Sequence, residues 1–199
     1  MYARVVTITG AKDIDGGVAF VRDTVVPLLR QQHGYRGLTA SADRAGRVVG
    51  VLSLWETEAD RDASDSASVK ARQEGLGVIG GELRVDNFEQ VVAEIAAKPV
   101  PGSALMVTPV GMDPAKVDEN LAFFTSDVLP RITSLPGFRA LRHMINRQTG
   151  EGMVGAAWDD EASMRSAADA ALARREEGIA RGVSFGEASF REIVLADLP

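Results

Sequence analysis

Few side chains in this sequence could do chemistry. There are no cysteines and only two histidines, His33 and His143. Thiolate catalysis, disulfides and Cys-ligated metals are therefore excluded, and two isolated histidines do not supply the three or four ligands of a zinc site. His143 follows Arg142 on a segment that reads as a strand. An imidazole there could serve a pocket as base or donor, which makes it the one catalytic candidate; a packed or solvent-facing histidine is the competing reading. Trp55 and Trp158 are the only tryptophans. They are candidate walls for a flat ligand, or core anchors. Arg36 and Arg139 are candidate clamps for a ligand carboxylate or phenolate, which a forked guanidinium suits, or solvated strand ends. Whether Arg36 shares a sheet face with Trp55 depends on hairpin register, because a slip of one residue reverses the face.

Two motifs match well-known fingerprints and lack their context. Gly75-Leu76-Gly77-Val78-Ile79-Gly80 fits G-x-G-x-x-G. Dinucleotide binding needs those glycines after a strand and opening a helix, whereas here they follow a helix and precede a strand. Gly182-Val183-Ser184-Phe185-Gly186 fits the nucleophile elbow G-x-S-x-G, but no histidine follows Ser184 to complete a triad.

Composition narrows the class further. Of 199 residues, 45% are hydrophobic and 25% charged, with a net charge of −6. That is a globular balance, and no basic stripe suggests nucleic acid. The first nine residues read as a strand rather than a leader, and no apolar run is long enough for a membrane span. A cytoplasmic protein without metal or cofactor is expected.

The elements that must position these residues come from an internal repeat. A shift of 103 residues brings Pro27 onto Pro130, Gly34 onto Gly137, Arg36 onto Arg139, Trp55 onto Trp158, Arg72 onto Arg175 and Gly75 onto Gly178. No gap is needed from Pro27 to the last strand. Each copy reads as strand, helix, strand, strand, helix, strand. Helix one carries apolar residues on one face (Val18, Val21, Val25, Leu28; Val117, Leu121, Phe124, Val128, Ile132) and is interrupted by Pro27 or Pro130, predicting a kink or restart. Strand two starts at Tyr35 or Phe138, and strand three ends at Trp55 or Trp158. Thr57 and Asp159-Asp160 offer N-caps, and Gly75 and Gly178 are expected C-caps. Strand four spans about Leu83–Val92 or Phe185–Leu195.

This order predicts an α+β fold: two ferredoxin-like βαββαβ repeats packed sheet to sheet as a pseudo-dimer within one chain, with no further oligomer needed. The expected division is 1–95, a linker over 96–103 containing Pro99 and Pro101, and 104–199.

The run Leu52-Ser53-Leu54-Trp55-Glu56-Thr57-Glu58-Ala59, with Val128-Leu129-Pro130 and Leu135-Pro136-Gly137-Phe138-Arg139, resembles the antibiotic-biosynthesis-monooxygenase-like group of dimeric α/β-barrel proteins. The resemblance covers both copies. It implies a pocket between sheet and helices and two alternative functions. One is cofactor-independent monooxygenation of a small aromatic or polyketide-like molecule. The other is non-catalytic binding of a small hydrophobic ligand or a protein. The haem-degrading branch carries an asparagine on strand one and a tryptophan and histidine on helix two; no position here matches them. The quinone-forming branch uses an asparagine near a tryptophan, where this sequence has Val51 or Val154.

Overall fold

A computed structural model of the chain describes residues 1–173 and 175–198; Arg174, and Pro199 at the end of the expected second repeat, lie outside it. The first repeat contains β1 (Tyr2–Thr9), α1 (Ile14–Phe20), a π-helical segment (Val21–Val25), α2 (Val26–Arg30), β2 (Tyr35–Asp43), β3 (Val48–Trp55), α3 (Glu58–Ala63), α4 (Asp65–Ile79) and β4 (Glu82–Ile95). The second contains β5 (Ala104–Gly111), a 3-10 turn (Pro114–Lys116), α5 (Val117–Phe123), a π-helical segment (Phe124–Val128), α6 (Leu129–Thr133), β6 (Phe138–Ile145), β7 (Glu151–Trp158), α7 (Glu161–Leu172), α8 (Arg175–Ile179), β8 (Ser184–Phe185) and β9 (Ser189–Asp197).

Local chemistry explains most boundaries. Pro27 and Pro130 sit in the first turn of α2 and α6, each directly after a π-helical segment. Proline lacks the N–H that an α-helix would bond four residues back, so the chain widens by one residue and restarts. Thr57 caps α3 through a capping box with Asp60, and the Asp160 carboxylate accepts from the Ser163 N–H to cap α7. The two expected C-caps are corrected. Helix α4 runs through Gly75 to Ile79 and ends at Gly80, whose φ is +68°. A Cβ on Gly75 would lie 3.1 Å from the Phe20 ring, and one on Gly178 would lie 2.8 Å from Phe185. Both glycines thus serve close packing rather than helix termination.

The hairpin registers settle the face question. Tyr35 stands opposite Trp55, the register then slips, and Gly37 stands opposite Leu54, so Arg36 is the bulged residue. Phe138 and Ala140 frame Arg139 in the same way opposite Trp158 and Ala157. A bulge turns its extra side chain out of the ladder's alternation.

Two compact units form, and they differ from the sequence repeats in one respect. The first comprises Met1–Asn87 with Glu192–Pro199, the second Phe88–Arg191. In the first, the strand order is β4-β1-β3-β2-β9; in the second, β4 pairs β6, β6 pairs β7, β7 pairs β5, and β8 and β9 pair β5. The last strand of each repeat therefore completes the sheet begun by the other. Leu38 stands opposite Asp197 and Leu141 opposite Glu94; Ala42 stands opposite Glu192 and Ile145 opposite Glu89. The register shift recurs at the same place, between Ala40 and Ser41 against β9 and between Gln90 and Val92 against β6. Each sheet carries helices over a core of its own: Val21, Leu29, Leu38 and Trp55 in the first unit, Leu141, Trp158, Met164 and Ala167 in the second.

Candidate functional site

The repeats differ in what lies between sheet and helices. In the second unit a cavity of about 490 Å³ opens there. Its floor is Met106, Thr108 and Val110 of β5, His143 of β6 and Val154 of β7; its walls include Asn120, Phe123, Phe124, Ala168, Ala171, Phe185 and Phe190. The corresponding space in the first unit measures about 70 Å³.

Repeat-equivalent substitutions account for the contrast. Arg4, opposite Ser53, occupies the strand position that Met106 holds opposite Ala156. The Arg4 guanidinium donates to Ser64 Oγ (2.8 Å) and to the Arg61 carbonyl (2.6 Å). Ser68 Oγ donates to the Ser64 carbonyl (2.7 Å). Under the same shift, Ser64, Asp65 and Ser68 become Ala167, Ala168 and Ala171, so a polar plug is replaced by methyl groups. A second exchange acts at the helix ends. A Cβ at Gly17 would lie 2.4 Å from the Ile79 side chain; the equivalent pair is Asn120 and Gly182, where an amide stands in place of hydrogen and the isoleucine side chain is gone.

His143 is the polar residue most deeply committed to this cavity. It is 4% exposed, and neither ring nitrogen has a hydrogen-bond partner among the described residues. Phe124 meets it edge-on at 4.8 Å. Burial lowers its pKa from 6.5 to about 4, so at neutral pH it presents one N–H donor and one bare acceptor. An unmet buried pair of this kind costs about 1–3 kcal/mol per group. A ligand hydroxyl or carbonyl could satisfy either nitrogen. The rim of the cavity is basic and aromatic: Arg131 donates to Glu177 (3.1 Å), and the Arg175 guanidinium lies 5.5 Å from the Phe185 ring centre.

The other candidates lie elsewhere. Trp55 and Trp158 are 0% and 1% exposed, and neither lines the cavity. Trp55 packs edge-on against Tyr35 at 5.7 Å, Trp158 against Phe138 at 6.5 Å. Trp55 Nε1 donates to Ser53 Oγ (3.1 Å), while Trp158 Nε1 is buried without a partner among the described residues. Arg36 pairs with Glu56, and Arg139 with Asp159 and the Lys98 carbonyl; both cross from the bulge to the turn after strand three, at equivalent positions. The structure thus brings His143 to the cavity and none of the other four. Asn120 and Thr108, not singled out above, do line it, as does Phe124, read from the sequence as part of the apolar face of helix one. For two of them the signal is a difference between aligned copies: Asn120 for Gly17, Phe124 for Val21. His33 is exposed, with Nδ1 2.7 Å from Asp60, and that contact raises its pKa. Among the described residues, no group of three His, Asp or Glu could hold a metal ion, and no helix is long and apolar enough to cross a membrane.

No family model matches the chain. Uncharacterized protein Rv2557 of Mycobacterium tuberculosis is 30% identical over 202 residues, spanning 100% of this chain and 89% of that protein. Among solved structures, one from Fusobacterium nucleatum superposes with TM-score 0.70 at 11% identity, over 99% of this chain and 94% of that one. An anthrone oxidase-like protein gives 0.66 at 15% identity, over 98% and 92%. A ferredoxin-fold protein of Listeria monocytogenes related to antibiotic biosynthesis monooxygenases gives 0.54 at 11%, over 99% and 94%. At these identities the likeness is one of fold: α+β, ferredoxin-like, of the dimeric α/β-barrel type.

Proposed function

We propose that this chain, which belongs to the family of the Mycobacterium tuberculosis protein Rv2557 and has the antibiotic-biosynthesis-monooxygenase-like fold, takes a flat, largely apolar aromatic molecule into the second-unit cavity and directs dioxygen onto it without a cofactor. The observation that carries this reading is His143, buried, neutral and unpartnered on both ring nitrogens against a cavity of about 490 Å³. A cavity of that size suits a ligand of two or three fused rings. The phenylalanines would stack on its faces, and a hydroxyl or carbonyl would meet the imidazole. The solved structure named as anthrone oxidase-like suggests the reaction class: a ring CH2 held between two aromatic rings and conjugated through them to a carbonyl loses a proton, passes electrons to dioxygen, and becomes C=O with release of water. Holding the anion-forming ring in a dry, aromatic enclosure would favour that step.

A second reading, binding without turnover, is favoured by one observation. Burial takes the basicity of His143 to about 4, which makes it a better hydrogen-bond partner than proton acceptor.

The deciding experiment incubates the purified chain with 1,8-dihydroxyanthrone in air and follows oxygen uptake and quinone absorbance against the protein-free rate. Saturable acceleration, lost in His143→Ala, supports oxygenation. Saturable binding with no acceleration supports the second reading. The absence of both binding and acceleration would overturn the proposal.

A further inference from the structure

We propose that the first unit holds a small monovalent anion, of chloride or acetate size, between Arg4 on β1 and Arg72 on α4. Both guanidiniums line the space of about 70 Å³ that is the counterpart of the larger cavity. The rest of that lining is mainly apolar, with Val6, Phe20, Leu29, Val51 and Leu76 among it. Arg4 is 3% exposed; its Nε and Arg72 Nη1 are both buried with no partner among the described residues. Their other terminal nitrogens are engaged. Arg4 Nη1 and Nη2 bond Ser64 and the Arg61 carbonyl, and Arg72 Nη2 donates to Asp65 Oδ1 at 2.6 Å.

Charge points the same way. Asp65 is the carboxylate shared by the two guanidiniums: its Oδ1 lies 3.5 Å from Arg4 and 2.6 Å from Arg72, and its side chain is half exposed. Arg61 is engaged by Glu58 and Asp62. The inner pair therefore carries one positive charge more than its carboxylate neutralises, in surroundings that desolvate it. Burial and the neighbouring Arg72 and Arg61 charges depress the pKa of Arg4. Water could meet the two N–H groups, but it would leave the charge; an anion meets both. The dimensions exclude large ligands, since an apolar cavity of about 150 Å³ is filled by one benzene. The device is particular to this unit: its counterparts across the repeat are Met106 and Ala168, and Arg175 faces Phe185 instead.

The test measures the melting temperature of the full chain in sodium gluconate, whose anion is too large to enter, and then with sodium chloride or acetate substituted at constant ionic strength. A saturable rise with either small anion is expected, the better anion identifying the source. In Arg72→Met the half-saturating concentration should rise roughly tenfold, the scale of one lost charge-assisted hydrogen bond; Arg4→Met should abolish the response. Should Arg4→Met fail to fold, Arg72→Met decides alone. Equal melting temperatures in all three salts, or an unchanged response in Arg72→Met, would overturn the site and leave the proposal for the His143 cavity untouched.

Discussion

His143 and Ala40 occupy the same place in the two repeats: each stands opposite a valine of strand three, Val154 or Val51, and opposite the partner repeat's last strand, at Val92 or Leu195. One is an imidazole against a cavity; the other is a methyl group inside a packed cluster with Leu38 and Trp55. An identical backbone frame thus supports a ligand-sized space on one side and a filled core on the other. The difference rests on a few side chains rather than on topology.

The pH dependence of stability should report His143. Its folded pKa lies near 4 against 6.5 for the free side chain, so the unfolded chain binds the proton first. The contribution is fully present above about pH 6.5, declines as pH falls through that window, and levels off below about 4, for a total on the order of 3 kcal/mol. In His143→Leu the difference from the parent protein should therefore grow in the variant's favour between pH 6.5 and 4. Urea titrations across that range would show it; parallel curves for the two proteins would refute it.

The two tryptophans make opposite predictions at equivalent neighbours. Ser53, which receives the Trp55 N–H, corresponds to Ala156, which is buried beside the unpartnered Trp158 N–H. Ala156→Ser should stabilise the protein by up to about 1 kcal/mol, and Ser53→Ala should destabilise it by about 1–3 kcal/mol. Denaturation midpoints of the two single variants are the measurement.

Filling the cavity should trade binding for stability. Ala168 is buried and lines the cavity from α7. A leucine there adds apolar area with room to place it, worth roughly 1–2 kcal/mol. The same substitution should weaken binding of a flat aromatic probe at least about tenfold, measured by fluorescence titration. Undiminished binding would place the ligand elsewhere.

The paired arginines should affect stability alone. Arg36 and Glu56 are both about half exposed, so Arg36→Ala should cost less than about 1 kcal/mol. Arg139 also donates twice to the Lys98 carbonyl, and Arg139→Ala should cost more, roughly 1–2 kcal/mol. Probe affinity should stay within about twofold in both; a larger loss would bring these residues back to the ligand.

How far the sequence discloses this design depends on the range of the interaction. The repeat, the element order, the proline restarts and the Thr57 and Asp160 caps are local or periodic, and they are legible. The bulges at Arg36 and Arg139 are not, because a one-residue insertion in a ladder leaves no compositional mark. Gly75 misleads because glycine serves equally to end a helix and to let Phe20 approach its middle. His143 is legible as an imidazole on a strand of a chain with only two histidines. The rest of the cavity is legible only when the copies are compared pair by pair: Gly17 with Ile79 against Asn120 with Gly182 is a coupled change in volume that becomes meaningful once Gly17 and Ile79 are known to touch.

The exchange of last strands has a consequence for how the chain must be made. Because β2 receives β9 as its neighbour, synthesis must run on through the whole second repeat before the first repeat's sheet can be finished, and until then β2 presents an open edge. Such long-range closure is slow and exposes an unpaired strand to other nascent chains. A gene cut between the copies would yield two halves each offering the other its missing strand, so co-expression, rather than separate refolding, is the route by which a split version could reassemble.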